Sequence, residues 1–235
     1  MGLPKLNHPT FQLTLPSTKQ ELTMRPFLVR EEKILLTAQQ TEDPKEVINA
    51  IKQVINNCIV GDFNTDALTT FDLEYVFIKL RARSVNNVIK LTYRDSEDNQ
   101  RYDVECNLDT VEISHTPGHT NIVNVNDAMT IIMKYPNAAL MQTLDPELNE
   151  SEIFFELLNA CIDVIVDGGT HYKVAEYSKE EVGEFISSLD VNTFEKIQEF
   201  FQTMPKIKHE LKYTNSLGTE RVITLDNIND FFTLG

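Results

Sequence analysis

The groups in this sequence best suited to bind a metal or to move a proton near neutral pH are 5 His, 3 Cys and 36 carboxylates. His115 and His119 stand at the spacing that brings two imidazoles onto one face of a helix to grip zinc. Pro117 and Gly118 lie between them and make a turn instead, and no Glu follows His115 as in a metalloprotease pair. Asp62, Asn64 and Asp66 offer oxygens at the first, third and fifth places of a calcium loop. Its sixth place is Ala67, where the chain needs Gly to turn sharply, and its twelfth is Leu73, where the ion needs a bidentate Glu. The expected use is a helix–helix loop with capping oxygens. Cys58, Cys106 and Cys161 have no paired spacing and are expected to be half-buried or buried small apolar side chains.

Nucleophile and phosphate chemistry finds no support either. There is no GxSxG elbow, no GxGxxG and no GxxxxGK[ST], and Gly numbers only 8. Gly168-Gly169 is expected to stop a helix. A glycosidase needs two carboxylates across a cleft, and no acid here sits in a recognisable lytic motif. Asn149-Glu150-Ser151 matches a glycosylation sequon, but the first residues lack the apolar core of a secretion signal and Gly2 begins no myristoylation signal. Intracellular synthesis is expected. No catalytic, cofactor-binding or metal-binding residue is assigned, and the chain is not expected to be an enzyme.

The elements that would position any site come next. The chain has 235 residues, enough for one large domain or two small ones. Phe11, Leu13 and Leu15 alternate, as do Leu22 and Met24 beyond a turn, which predicts an N-terminal β-hairpin. Helices are expected from near Val29 or Glu31, from Pro44 with Asp43 as cap, and over roughly 69–82. The third carries apolar residues nearly all round, so Phe71, Tyr75, Phe77 and Leu80 should be buried. A central hairpin should have Ile89, Leu91 and Tyr93 on one face of its first strand and Tyr102, Val104, Cys106 and Leu108 on one face of its second, with Val111 and Ile113 extending the sheet. A short helix is expected from Asn126 or Asp127 to Lys134, and a longer one from Ser151 to Val166. Ser178 with Glu181, and Asp190, should begin two more helices. A C-terminal hairpin around the turn at 215–218 and a short helix ending in Phe231-Phe232 complete an α+β fold: helices with small antiparallel β-hairpins. The acidic stretch DPELNESE suggests a boundary between regions 1–145 and 146–235.

Lys and Arg total 21, so the formal charge is −15. Such a surface disfavours nucleic acid and anionic lipid, which demand cationic side chains. No apolar run approaches the roughly 20 residues of a membrane helix. The densest basic positions are Arg25, Arg30 and Lys33, and Lys79, Arg81 and Arg83. They either meet acidic partner surfaces or are solvated or internally paired helix ends. Phe231 and Phe232 either fold back onto their own domain or dock on a neighbour, and they are expected to support association with a partner, directly or by shaping the C-terminal hairpin.

Four segments together resemble one family: LPSTKQELTMRPFLVREEKILL at 15–36, FDLEYVFIKLRARSV at 71–85, IIMKYPN at 131–137 and FFQTMPKIKHELKY at 200–213. They resemble, in this order, the baseplate hub subunit family of T-even-like contractile-tailed bacteriophages. The resemblance implies a structural or assembly subunit of the tail baseplate hub, working through contacts with other hub or tail proteins. The alternatives are a hub-assembly chaperone that leaves before the virion is mature, or a tail-associated cell-wall hydrolase. The resemblance implies the host cytoplasm during assembly and the virion afterwards, and it brings no catalytic residues. Some family members carry a C-x-x-C-G suggestive of a zinc ribbon near the C-terminal hairpin. This chain has Thr214-Asn215-Ser216-Leu217-Gly218 there, so the resemblance carries no zinc over. Copy number and oligomeric state stay open. Elemental analysis of the purified protein is expected to find neither zinc nor calcium in stoichiometric amount; a full equivalent of either would overturn the reading of these loops.

Overall fold

The computed structural model describes residues 6–41, 44–145 and 147–231. The alternating N-terminal residues form β1 (Phe11–Thr14) and β2 (Glu21–Met24), paired antiparallel with Phe11 opposite Met24 and Leu13 opposite Leu22. Three helices follow: α1 (Val29–Gln39), α2 (Pro44–Cys58) and α3 (Thr70–Ser84). Asp43, the expected cap of α2, lies outside the described residues. The Thr69 hydroxyl caps α3 by accepting the Asp72 N–H at 3.2 Å, which satisfies a donor that the first turn leaves open. The apolar girth of α3 has the expected result. Phe71, Phe77 and Leu80 are fully buried, and Tyr75 is half-buried with its ring facing the Lys79 ammonium.

The central hairpin is β3 (Val88–Arg94) with β4 (Arg101–Asn107), and Ile89 faces Cys106, Leu91 faces Val104 and Tyr93 faces Tyr102. Val111 and Ile113 do not extend it. A 3-10 turn at Leu108–Thr110 redirects the chain and buries Val111, and β5 (Ile113–Ser114) pairs with Lys206–Ile207 instead.

The next stretch departs from expectation twice, for one reason. Residues 126–134 are not a helix: β6 (Ile122–Asn124) turns through Asn126 into β7 (Met129–Met133). The Asn126 side-chain oxygen accepts the Ala128 and Met129 N–H groups, both at 2.9 Å, and so holds the turn. After α4 (Ala138–Thr143), α5 (Glu150–Cys161) stops well short of Val166, and β8 (Ile162–Asp167) begins at once. Short apolar runs carry no decisive period. Here β-branched Ile and Val find strand partners on both sides, with Ile131 opposite Val123 and Ile165. Gly168 and Gly169, with φ of +54° and +86°, therefore close a hairpin into β9 (Thr170–Lys173) and do not stop a helix. The sheet runs β6-β7-β8-β9, antiparallel throughout.

α6 (Lys179–Ser187) begins with the expected Ser178–Glu181 capping box, and α7 (Val191–Thr203) with Asp190, whose carboxylate accepts the Thr193 N–H at 2.7 Å. Ile131, Met133, Leu158, Ile197 and Phe200 lie at the centre of the core they share with this sheet. After Pro205 come β10 (Lys206–Ile207) and the C-terminal hairpin, β11 (His209–Thr214) with β12 (Glu220–Leu225). A 3-10 turn, Ile228–Phe231, stands where a short helix was expected; Phe232 is outside the described residues.

Backbone contacts divide the fold into two compact units, Met1–Ser114 with Lys206–Gly235, and His115–Pro205. The acidic stretch at 145–152 falls inside the second, where Asn149 and Glu152 start α5 by capping each other's backbone N–H. The whole is α+β, helices set among two- to four-stranded antiparallel sheets. With Phe77 at 1 % exposure, Phe77→Ala should lose about 3–5 kcal/mol in denaturant unfolding. A loss under about 1 kcal/mol would show that the centre of this core lies elsewhere.

Candidate functional site

The basic positions singled out in the sequence are largely engaged inside the fold. Glu31, in the first turn of α1, has a side chain with no exposed surface, so its charge must be matched from within. Arg25 reaches it at 2.9 Å, Arg30 at 2.6 Å, and the Leu28 N–H at 2.9 Å. The same Arg25 guanidinium donates to the Asn57 carbonyl at 2.8 Å, at the end of α2, where the helix dipole favours a cation. Thus the segment RPFLVREE joins the N-terminal hairpin, the start of α1 and the end of α2. Phe27 adds a fourth element, its N–H donating to the Ser84 hydroxyl of α3 at 2.9 Å. Lys33 is exposed, and Arg83 reaches Asp109 only at 4.0 Å.

α3 holds the ends of its unit in the same way. Asp72, at 1 % exposure, accepts the Ser17 N–H at 3.0 Å and also its hydroxyl. Lys79 donates to the Asp109 carbonyl at 2.7 Å and to Glu112 at 3.1 Å. Buried Arg81 donates to the Phe231 carbonyl. Phe231 is itself fully buried. Between folding back and docking on a neighbour, it folds back.

The sequence reading missed a polar cluster where two hairpin turns meet. Asp95, fully buried, accepts the Glu97 N–H at 2.8 Å, the Tyr213 hydroxyl and the Arg221 Nε at 3.1 Å. Asp98 accepts the Tyr102 hydroxyl and the Ser216 N–H, the latter at 3.0 Å. Asn215 donates to Glu97 at 2.7 Å, while its side-chain oxygen accepts the Thr219 N–H at 2.8 Å. The bond from the Tyr213 hydroxyl, followed by the Glu97 and Asp98 N–H groups and the Arg221 charge, holds the Asp95 carboxyl below the usual range. The C-terminal hairpin is thus tied to the turn of the central hairpin by hydrogen bonds and an ion pair. An acid-rich turn between strands reads as a solvated loop; the Tyr and Arg that neutralise it lie more than a hundred residues on.

The metal-like patterns are engaged otherwise. His119 bonds through one ring nitrogen to the Thr203 hydroxyl at 2.9 Å and through the other to Tyr135 at 2.8 Å. Burial, with the nearby His115, lowers its pKa. Asn64 caps the 3-10 turn Thr65–Ala67 through the Asp66 N–H at 3.1 Å, and the Asp66 carboxylate pairs with Lys52. All three thiols are free and buried, and burial pushes Cys58 and Cys106 up to about 11 and Cys161 to about 12. Among the described residues, no three His, Cys, Asp or Glu side chains gather as a metal would require. Nor is any helix among them long and apolar enough to cross a membrane.

The family described as T4 bacteriophage base plate protein matches residues 8–233. The chain belongs to that family and is a phage baseplate protein. No curated protein and no solved structure matches it.

Two carboxylates, one buried and one half-buried, give the fold opposing pH dependences. Burial raises the Glu31 pKa, but the bonds from Arg25, Leu28 and Arg30 outweigh it and hold the carboxyl at about 2. Glu31 therefore contributes stability above the ordinary carboxylate value of 4.5 and loses it as pH falls towards 2. Glu74 on α3 is the reverse. Burial, and then the charge of Asp226, push it up to about 7 from 4.5, so the folded state keeps a proton that the unfolded chain releases, and stability falls as pH rises through that window. Glu74→Gln should abolish this decline, adding about 1–3 kcal/mol at about pH 8 and little at about pH 5. Equal effects at the two pH values, measured by urea unfolding, would refute the assignment. Glu31→Gln, which strands Arg25 beside a neutral partner, should cost about 3 kcal/mol or more near neutral pH.

Proposed function

We propose that this baseplate protein is a subunit of the central hub, helping to build it through protein–protein contacts and without catalysing a reaction. The observation that carries this reading is the ordered set of four hub-type motifs within a family match spanning 8–233. The geometry supports it. The charged side chains of the first two motifs knit the chain to itself: Arg25 and Glu31, Asp72, Lys79 and Arg81 all bond within their unit. That is how a subunit keeps its shape while its surface meets partners. The partners proposed are other hub or tail proteins. A net charge of −15 argues against nucleic acid and anionic membrane. The protein would work in the host cytoplasm during assembly and then in the virion tail. Mass spectrometry of purified virions, alongside affinity-purified hub intermediates, should find the chain in both. Presence only in the intermediates would make it an escort that leaves. Absence from both would overturn the hub assignment, and release of cell-wall fragments by the purified protein would favour the hydrolase.

A further inference from the structure

The His115–Pro205 unit has an open cleft of about 360 Å³ lined by apolar, aromatic and acidic side chains. Its floor includes Ile165 and Phe185, and Asp167 and Glu181 line it with the rings of Tyr172 and Tyr177. The rings are 38 % and 43 % exposed. Their centroids stand 6.5 Å apart with planes at 53°, an open corner and not a closed stack.

Local structure explains why these groups converge. Tyr172 lies opposite Ile165 in the β8–β9 register, so it shares the apolar face of the sheet, but at the edge strand. Tyr177 immediately precedes Ser178, the cap of α6, and Glu181 occupies the third position of that helix. One Glu181 oxygen accepts the Ser178 N–H at 2.9 Å, which leaves the other for a ligand. Among the described residues neither Asp167 nor Glu181 is ion-paired, and no Lys, Arg or His lines the cleft. The nearby lysine, Lys179, is held by both Glu156 oxygens at 2.6 Å. Lys173 stands opposite Val164, on the other face of the sheet from Tyr172.

Two exposed aromatic faces, two carboxylates without a cation and an apolar floor are complementary to a cation on an aliphatic stem. We propose that this cleft is a docking pocket for an arginine side chain presented by a partner protein. Arginine fits better than lysine because its weakly hydrated, planar guanidinium stacks on a tyrosine face while its N–H groups meet a carboxylate. A chain of net charge −15 attracts a basic partner segment, and the cleft gives that attraction a defined seat. The proposal leans on the assembly role only in naming a protein as the partner; the cleft chemistry stands without it.

The test is an NMR titration of the full-length, isotope-labelled protein with a capped hexapeptide, Leu-Ala-Arg-Ala-Leu-Gly. The comparison peptide has citrulline for arginine, which keeps the shape and removes the charge. Saturable shifts are expected at the Tyr172 and Tyr177 rings, with citrulline weakening binding about tenfold or more. Tyr172→Leu combined with Tyr177→Leu should weaken it by a similar factor, and Asp167→Asn by about threefold. Equal binding of the two peptides, or no saturable shift at these rings, overturns the proposal. If the double variant does not fold, the single Asp167→Asn variant decides: unchanged affinity overturns it. These outcomes are independent of whether the chain is found in virions.

Discussion

A carboxylate with no exposed surface cannot stay ionised alone, and much of the first unit is arranged around satisfying Glu31. Its partners come from different elements, Arg25 after β2, the Leu28 N–H before α1, and Arg30 within it, while Arg25 also grips the end of α2. Removing one member leaves a buried charge unmatched, so the elements are coupled electrostatically as well as by packing. α3 repeats the device with Asp72, Lys79 and Arg81, and the paired hairpin turns repeat it with Asp95 and Arg221.

This gives the −15 balance an unexpected distribution. Several of the scarce cations are turned inward: Lys79 and Arg81 are buried, and the Arg25 side chain is 16 % exposed. Buried Glu31, Asp72 and Asp95 offset them, so the outer surface keeps the acidic balance of the whole chain. For a baseplate protein this favours basic partner surfaces and discourages association between copies of itself through those faces.

The motifs that make the chain recognisable are also the ones whose side chains hold it together. Arg25 to Glu31 and Phe71 to Ser84 contain the fully buried Glu31, Phe71 and Phe77, together with the Ser84 hydroxyl that joins the two segments. Such positions are constrained by packing and charge matching.

The sequence alone determined the N-terminal, central and C-terminal hairpins, the all-round burial of α3 and the starts of α6 and α7. In each, the period, the capping residue or the turn residues act over a few neighbouring positions. It also set the fate of the cysteines, which are small apolar groups without a partner spacing. Tertiary structure decided the rest. Met129–Met133 and Ile162–Asp167 are strands because each finds the other to pair with; their short apolar runs suit helix or strand equally until a partner satisfies the backbone. Gly168-Gly169 became a hairpin turn once its flanks were strands. The Asp95 cluster and the tyrosine cleft each join residues from separate elements. Only folding brings such side chains within bonding distance, and local pattern carries no record of it.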